Sequence, residues 1–499
     1  MTTKKETQPK EVRTRIAPSP TGAAHIGTAR TALYNYLFAK QNNGKFILRI
    51  EDTDKERSEQ KWTDEVIDQL KWLGIQWDEG PDIDGKFGPY KQSQRIDIYA
   101  EYLKKLLEEK KAYLCFCSEE ELEGKRQDQM SRGLAPKYDG TCAHLSDEII
   151  QKNIAEKKSS VIRFKVENKK IKFNDLIRGE IEFDAGLLGD IVVAKNLESP
   201  LYHFAVVVDD FLMKISHVIR GEEHLSNTPR QILLQEALGF YQPIYAHLPL
   251  MLNLDRSKMS KRQGDVAISD YHKNGYLPEA LINFMALLGW NPGTEKEVFS
   301  LAQLVKEFHI EKVQKAGAVF NIQRLDFLNG LYIREKSIEK LTELCVPYLK
   351  EAGLLVEGQQ TQNQLQEIVE ISKTRMKKLA ELPALSDLFF GDKLIYDKDL
   401  LHWKDTGDEA TKESLLFSEK LLSENITWDL KTLEAELFSG AEKYNLAKGY
   451  PEKNKGFLLW PLRVALSGKS TSPSPFEIAA ILGREKTMKR LKEAIKIIS

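Results

Sequence analysis

The stretch RIAPSPTGAAHIGT, residues 15–28, decides how the chain begins to fold. Apolar residues alternate over 12–16, which is typical of a β-strand. The Pro-Ser-Pro-Thr-Gly run that follows cannot continue regular structure, so a loop comes next. Apolar residues over 29–37 then recur at helical spacing. The stretch therefore predicts a strand, a tight loop and a helix whose first turn carries His25.

A strand that leads through a tight loop into a helix suits a phosphate, because the first helical N–H groups are unpaired and lie at the positive end of the dipole. Gly22 and Gly27 leave room for a nucleotide to approach. The stretch has neither Gly-x-Gly-x-x-Gly nor a Walker lysine, so an ordinary dinucleotide site and a P-loop do not fit. The alternative is a plain strand–helix connection with a surface histidine.

Outward from this stretch, strand and helix patterns alternate, stop at Cys115 and resume near residue 204. The alternation predicts an α/β unit with a parallel sheet, and the interruption predicts an insertion. The region beyond about 276 is overwhelmingly helical. The predicted strands are 46–50, 161–166, 179–183, 204–208, 217–220 and 247–252, and the predicted helices are 62–73, 94–112, 228–239, 338–352, 362–381 and 412–424.

The composition is that of an ordinary globular chain: of 499 residues, 41% are hydrophobic and 29% charged, with a net charge of −1. About three to four structural units are expected at this length. No apolar run approaches the ~18–20 residues of a membrane helix, and the first residues lack the apolar segment of a secretory signal. We therefore expect a cytoplasmic protein without a membrane partner. Basic stretches at 373–378 and 484–496 fit either a nucleic-acid surface or solvated helix faces.

Three of the four cysteines lie in one short region, as Cys115-x-Cys117 followed by Cys142-x-His144. Thiolates and an imidazole in a fourfold array are typical of structural zinc. The alternative is three reduced cysteines in a small core. Cys345 lies on the apolar side of a helical pattern, which indicates core packing.

A second motif, KMSKR at 258–262, lies in a polar loop. Its cations suit the phosphates of ATP, since lysines can stabilise the charge that develops during attack on the α-phosphorus. A solvated basic loop is the alternative. Together with the motif around His25, however, this loop resembles the paired signatures of class I aminoacyl-tRNA synthetases. Thr28 and Arg262 depart from the general signatures, and both departures are common in the glutamyl branch.

The resemblance to bacterial glutamyl-tRNA synthetases is closer still and runs from about residue 11 to about 335. It is carried by residues 15–22, 49–54, 77–81, 88–90, 208–210 and 218–224. It implies ATP-dependent activation of L-glutamate to glutamyl-adenylate, with Mg²⁺ accompanying ATP, and transfer to the terminal adenosine of glutamate tRNA. It also implies that activation requires bound tRNA.

The resemblance assigns roles to individual residues. Catalytic roles fall to His25, Lys258 and Lys261. ATP contacts are implied for Pro18, Thr21, Gly22, His25, Gly27, Thr28, Lys258, Met259, Ser260, Lys261 and Arg262. Two arginines suit the carboxylates of glutamate, because guanidinium is a planar and permanently charged fork. The glutamate-binding residues are then Arg15, Ser19, Glu51, Tyr202 and Arg220, with Glu51 receiving the α-ammonium. Salt bridges are the alternative reading of Glu51 and, through Glu222 or Glu223, of Arg220.

Two further assignments follow from the resemblance. Some bacterial members carry zinc on the same Cys-x-Cys and Cys-x-His spacing, so the expected ligands are Cys115, Cys117, Cys142 and His144. Tyr138 is an alternative fourth ligand. The zinc would hold the insertion that grips the tRNA acceptor end. Arg375 falls where discriminating members read the third anticodon base, although a solvated helix face fits it as well.

The expected fold is therefore a Rossmann-like α/β catalytic domain with an inserted acceptor-binding domain, followed by an all-α anticodon-binding region, in a monomer. The expected segments are a disordered tail (1–11), the first catalytic half (12–114), the insertion (115–203), the second catalytic half (204–250), a stem-contact region with the basic loop (251–336) and the helical anticodon-binding region (337–499).

Several alternatives stay open on the sequence. A non-discriminating enzyme would also charge glutamine tRNA. A glutaminyl-tRNA synthetase should have β-barrels in its C-terminal part, and the shortened homologue that modifies a tRNA base lacks an anticodon-binding region. A catalytically inactive, synthetase-like RNA-binding protein would be expected to lack His25 or Lys261. A nucleotidyltransferase acting on a small molecule would have no use for the long helical part.

Overall fold

The computed structural model describes residues 7–54, 56–259, 267–355, 361–424 and 427–499. The chain forms two compact units. The first comprises Met1–His272 and Pro278–Leu325, and the second comprises Lys273–Leu277 and Asp326–Ser499. Since the units divide at Leu325, the finer division into six segments remains a prediction.

The first unit mixes strands and helices. Its strands are β1 (Arg13–Ile16), β2 (Lys45–Leu48), β3 (Ala112–Cys115), β4 (Val161–Phe164), β5 (Lys170–Asp175), β6 (Gly179–Asp184), β7 (Ile191–Asn196), β8 (Ser199–Pro200), β9 (His217–Gly221), β10 (Ile244–Leu248), β11 (Met251–Leu252) and β12 (Ala318–Val319). The helices that begin before Leu325 are α1 (Ile26–Gln41), α2 (Gln60–Trp72), α3 (Ile96–Glu108), α4 (Glu119–Ser131), α5 (Asp147–Ala155), α6 (Tyr202–Leu212), α7 (Thr228–Leu238), α8 (Ile268–Lys273), α9 (Pro278–Leu287), α10 (Leu301–Glu307) and α11 (Ile322–Glu335).

The two halves of the α/β fold meet beside β1. This strand pairs with β2 in parallel, and β9 pairs with β10 in parallel. Ser216, just before β9, donates its N–H to the carbonyl of Arg13 at 3.0 Å, and the Arg13 N–H donates to the Ser216 hydroxyl at 2.7 Å. The predicted strand–loop–helix at the start of the chain is confirmed by β1 and α1.

The insertion contributes to two sheets. β3, β4, β7 and β8 form an antiparallel sheet of their own, whereas the β5–β6 hairpin extends the catalytic sheet in the order β6-β5-β10-β9. The link is a parallel pairing of Asp175 with Tyr245. A strand of the insertion is therefore part of the sheet that carries the second catalytic half.

Two predicted strands need correction. Residues 204–208 lie in helix α6, although Phe-Ala-Val-Val-Val is a β-rich run. The helix prevails because Phe204–Phe211 is buried throughout and tertiary packing overrides propensity. The strand expected over 247–252 is β10, which begins at Ile244 and ends at Leu248, with the short β11 after it.

The second unit is helical, as predicted. Its further helices are α12 (Ile338–Glu351), α13 (Gln362–Lys373), α14 (Leu382–Phe390), α15 (Asp408–Ser423), α16 (Leu430–Lys448), α17 (Gly456–Ser467) and α18 (Pro475–Ile498). No strand occurs after Val319 among the described residues. The side chains of Ser337, Thr361, Asp429 and Ser474 cap four of these helices, so their ends are fixed by local hydrogen bonds. Within the described ranges, none of the helices has the length and apolar character needed to span a membrane.

Candidate active site

A cavity of about 270 Å³ opens at the carboxyl ends of the parallel strands of the first unit. The end of β1 and the loop after it, the first turn of α1, the start of α6 and the end of β9 surround it. Its lining includes all five predicted glutamate-binding residues, namely Arg15, Ser19, Glu51, Tyr202 and Arg220, together with Pro18, Gly27 and Thr28 from the predicted ATP-binding set. The fold thus brings together residues that lie about 200 positions apart in the chain.

A buried carboxylate, Asp210, fixes the first arginine of the cavity. Arg15 donates Nε to Asp210 Oδ1 at 3.0 Å and Nη2 to Oδ2 at 3.3 Å. Arg49 donates Nη1 to the same Oδ1 at 2.7 Å. Burial raises the pKa of Asp210, but the charges of Arg15 and Arg49 outweigh this effect and the pKa is lowered. Asp210 therefore stays ionised and holds Arg15 in one orientation.

Glu51, unlike Asp210, has a raised pKa. It accepts a hydrogen bond from Arg49 Nη2 at 3.0 Å, so the salt bridge at the end of the strand is present. Burial raises the pKa of Glu51, even though Arg49 and Arg15 act in the other direction. A cation entering the cavity would stabilise the charged carboxylate. The salt bridge and a role in binding an ammonium are thus compatible.

Two side-chain hydrogen bonds hold the second arginine of the cavity, Arg220. It donates Nε to His247 Nε2 at 3.2 Å and Nη2 to the Thr228 hydroxyl at 2.8 Å. Its buried Nη1 has no hydrogen-bond partner in the part of the chain that the structure describes. Glu222, one of its suggested partners, instead accepts from Arg178 and from the Leu250 N–H. A guanidinium that lines the cavity and has one unpaired donor is suited to an incoming carboxylate.

Tyr202 and Ser19 complete the polar lining. The half-buried Tyr202 hydroxyl lies 3.3 Å from His224 Nδ1, at the first residue of α6. Ser19 is exposed in the loop after β1, where its carbonyl accepts from the Thr21 N–H at 2.9 Å. Both positions are open to a ligand in the cavity.

His25 lies at the N-terminus of α1, as predicted. Its Nδ1 accepts a hydrogen bond from the Gly27 N–H at 2.9 Å and thereby caps the helix. The His25 backbone also pairs with Ala267, which lies five residues after the end of the basic loop. Exposed Lys258, the first residue of the basic loop, pairs through its backbone with Leu252. The chain that returns from the basic loop is therefore anchored at the N-terminus of α1.

Some predicted ATP-binding residues are less well placed or lie outside the described residues. Thr21 is exposed and Gly22 is half-buried in the loop before α1, and neither lines the cavity. Met259 donates its N–H to the Met251 carbonyl at 3.1 Å. Ser260, Lys261 and Arg262 lie outside the described residues, so their predicted roles stay predictions.

The cysteine cluster forms, but with a different fourth neighbour. The sulfur atoms of Cys115, Cys117 and Cys142 lie within 4.8 Å of one another. The Tyr138 hydroxyl lies 3.3 Å from Cys115 Sγ and 3.6 Å from Cys117 Sγ. His144 is exposed and is not among the clustered ligand atoms. Cys142 therefore belongs to the cluster, whereas the side chain two residues later is exposed, and the role of His144 as a ligand stays a prediction.

In the second unit, Arg375 lies at an exposed position just after α13. It lines a cavity of about 470 Å³ together with Arg463, Lys469, Ser472 and Pro473. Arg463 packs its guanidinium on the Trp460 ring at 4.4 Å and donates to the Ser470 carbonyl at 2.8 Å. Burial and the charge of Arg375 lower the pKa of Arg463. Three cationic side chains lining one cavity indicate a site for an electron-rich ligand.

Comparison with known proteins agrees with this arrangement. The catalytic domain of the class I tRNA synthetases for E and Q matches residues 11–327, and an anticodon-binding domain matches residues 340–495. The chain belongs to the class I glutamyl- and glutaminyl-tRNA synthetase family. Within this family of synthetases, the helical second unit corresponds to the anticodon-binding domain.

Individual synthetases of this family match over nearly their whole length. Glutamate–tRNA ligase 1 of Caldicellulosiruptor saccharolyticus is 45% identical over 97% of this chain and 98% of its own. The glutamate–tRNA ligase of Carboxydothermus hydrogenoformans is 43% identical over 96% and 99%. A crystal structure of a glutamate tRNA ligase from Elizabethkingia meningosepticum, in complex with its amino acid, has a TM-score of 0.87 and 34% identity, covering 98% of this chain and 100% of that one.

The residues behind the synthetase pocket were not singled out from the sequence. Arg49 and Asp210 fall in the stretches that carry the family resemblance, but without an assigned role. Asp175 and His247 gave no signal in the sequence analysis. The available signal was two adjacent aspartates at the end of an apolar run, because carboxylates in a buried segment require partners.

Proposed function

We propose that the chain is a glutamate–tRNA ligase. The observation that carries the proposal is the cavity in which Arg15 and Arg220 face Glu51, since two guanidinium groups and one carboxylate complement the two carboxylates and the ammonium of L-glutamate. Relatives over 40% identical along nearly the full chain carry this name. The helical second unit argues against glutaminyl-tRNA synthetase, for which β-barrels are expected.

The reaction proceeds in two steps. The glutamate α-carboxylate attacks the α-phosphorus of ATP, forming glutamyl-adenylate and releasing pyrophosphate. A hydroxyl of the terminal adenosine of glutamate tRNA then attacks the activated carbonyl and displaces AMP. The chain's main tasks are to hold the reactants in line and to stabilise developing charge.

We assign these tasks to separate groups. Arg220 and Arg15, which line the cavity, bind the glutamate carboxylates, while Glu51 receives the ammonium. His25 and the first turn of α1 bind phosphate at the positive end of the helix dipole. Lys258, with Lys261 and Arg262 of the basic loop, neutralises phosphate charge, and Mg²⁺ accompanies ATP.

We also propose that the cysteine cluster binds one structural zinc ion. The thiolates of Cys115, Cys117 and Cys142 would hold the ion, since thiolates are typical ligands of structural zinc, and the Tyr138 hydroxyl beside them would be the fourth donor. The ion would tie the end of β3, where the insertion begins, to the loop before α5. Its role is to hold the part of the chain that contacts the tRNA acceptor end.

The second unit binds the anticodon, and Arg375 makes the enzyme select glutamate tRNA over glutamine tRNA. A non-discriminating enzyme is the alternative. The six-segment division of the chain, the monomeric state and the cytoplasmic location belong to the same proposal.

The test is charging of purified glutamate tRNA with radiolabelled glutamate, ATP and Mg²⁺. We expect the wild type to charge, and His25→Ala to lower kcat by about 10²-fold or more, because it removes a phosphate-binding group from the transition state. His309→Ala, at an exposed histidine of the same unit, is the matched control and should charge like the wild type. Absence of charging by folded wild-type protein would refute the proposal and favour an RNA-binding role.

A further inference from the structure

A buried chain of hydrogen bonds runs from the insertion to the glutamate cavity. Asp175, at the end of β5, lies 2.6 Å from His247 Nδ1 through its Oδ2. His247, in β10, lies 3.2 Å from Arg220 Nε through its Nε2. The three residues are 1%, 0% and 5% exposed, respectively. Water therefore does not compete for these contacts.

The chemistry of the three groups fixes where the proton lies. Two groups lie beside His247 Nε2: Arg220 Nε, and the Thr228 hydroxyl at 3.1 Å, which can donate or accept. Arginine has donors only, so its hydrogen bond to His247 forms only when Nε2 accepts and carries no proton. A neutral imidazole then carries its proton on Nδ1, which donates to the Asp175 carboxylate. Burial and the nearby charge of Arg220 keep the pKa of His247 low, although Asp175 acts to raise it. Asp175 thus selects the tautomer of His247 that can hold Arg220.

Asp175 is itself held rigidly. Its other oxygen, Oδ1, accepts from the N–H groups of Ile177 at 3.0 Å and Arg178 at 2.9 Å. Its backbone is in register with Tyr245 in the parallel pairing of β5 with β10. The carboxylate therefore cannot rotate without breaking the turn that follows β5.

We infer that Asp175 and His247 are positioning residues that orient the Arg220 guanidinium toward glutamate, so that the insertion supports the amino-acid pocket. This inference rests on the proposed function. His247 and Thr228 hold Nε and Nη2 of Arg220, whose side chain lines the cavity. A change that removes the acceptor at His247 Nε2 leaves Nε without its partner and loosens the orientation of the guanidinium.

The sharpest test is Asp175→Asn, which keeps size and shape. The amide oxygen would remain on the two backbone N–H groups, so the amide nitrogen would face His247 Nδ1 and donate to it. His247 would then carry its proton on Nε2, opposite a donor of Arg220. We expect the KM for glutamate to rise about 10- to 100-fold, the range for a lost hydrogen bond to a charged group, while the KM values for ATP and tRNA stay within about twofold.

Asp184→Asn is the matched control, because Asp184 is an exposed aspartate of the same insertion that caps a short turn. It should leave all three KM values unchanged. A general loss of structure in Asp175→Asn would instead lower kcat through a smaller active fraction, with the glutamate KM unchanged. That result, or wild-type kinetics, would overturn the inference, while the charging activity of the wild type separately tests the proposed function.

Substitutions of His247 provide an independent test of the same inference. His247→Gln can place a carbonyl oxygen where Nε2 lies, whereas His247→Leu has similar bulk and no acceptor. We expect the glutamate KM to rise about 10-fold or more in His247→Leu and distinctly less in His247→Gln. In the His247→Gln background, Asp175→Asn should add no further increase, because the tautomer it controls is gone. Equal effects of Gln and Leu, or additive effects in the double variant, would contradict the inference.

Discussion

Asp209 and Asp210 are neighbours in one helix, and each binds a different set of buried side chains near the cavity. Asp210 binds Arg15 and Arg49, whereas Asp209 accepts from Arg95 at 2.7 Å and from Tyr99 and Gln92. Successive side chains on a helix diverge by about 100°, so both carboxylates can reach partners on adjoining buried surfaces. Loss of either carboxylate would strand a buried guanidinium, at a cost of about 3–5 kcal/mol.

Tyr138 and His144 offer a prediction at the scale of single residues. We expect Tyr138→Phe to weaken zinc binding at least about 10-fold, because it removes the oxygen that lies beside two of the thiols. His144→Ala should leave the zinc affinity unchanged, because its exposed side chain is not among the clustered ligand atoms. Zinc content by mass spectrometry after dialysis against graded chelator concentrations measures both.

Cys142→Ser should lose the ion at the lowest chelator concentration and serves as the positive control for that measurement. If His144→Ala loses zinc while Tyr138→Phe retains it, the fourth ligand is the histidine of the sequence pattern and the cluster rearranges when the metal binds.

At the scale of elements, the sequence predicts a helix well where the residues at its ends favour the start or the end of a helix. Helix α7 begins at Thr228, has Pro229 in its first turn and ends before Gly239 in the left-handed conformation, as its sequence predicts. Helix α6 was missed because its apolar residues follow one another without a period. Its conformation depends on burial by the surrounding elements, and a local pattern does not contain that information.

Helix α1 carries a prediction about close approach. A Cβ at Gly27 would lie 3.1 Å from His25 Nδ1 and 3.8 Å from the sulfur of Met251. Gly27→Ala should therefore push His25 out of position and lower kcat/KM for ATP about 3- to 30-fold. Stability should change little, because alanine is favoured over glycine in a helix by about 1 kcal/mol and the loss of the His25 cap costs a similar amount.

The matched control is Gly124→Ala, because Gly124 lies within α4 and a Cβ there meets nothing within 4 Å. Charging kinetics and urea unfolding of Gly27→Ala and Gly124→Ala test this prediction. Unchanged ATP kinetics in Gly27→Ala would mean that the space beside His25 is not needed for the nucleotide.

At the scale of the whole molecule, the sequence predicted both the α/β half and the helical half, and the family resemblance named eight of the residues that line the cavity. Arg15 and Arg220 could be paired only through family resemblance, because spacing does not reveal that residues so far apart meet. Asp175 and His247, which support the pocket, could not be predicted for the same reason. Asp175 reaches His247 only because β5 of the insertion joins the catalytic sheet. The position of His144 depends on a backbone turn that the Cys-x-His spacing does not specify.

The anticodon-binding unit yields the prediction that concerns the function of the whole molecule. Arg375 and Arg463 line one cavity, and each can offer a planar fork of donors to the edge of a base. A bidentate contact between arginine and a base contributes about 1–3 kcal/mol of discrimination, or about 10- to 100-fold. We therefore expect Arg375→Gln to reduce the ratio of kcat/KM for glutamate tRNA over glutamine tRNA by that factor, with the KM for glutamate unchanged.

Lys489→Gln removes an exposed charge from α18 of the same unit and should lower charging of the two tRNAs equally or not at all. If the wild type already charges both tRNAs alike, Arg375 does not discriminate and its charge only attracts the tRNA backbone, an effect that would weaken with added salt.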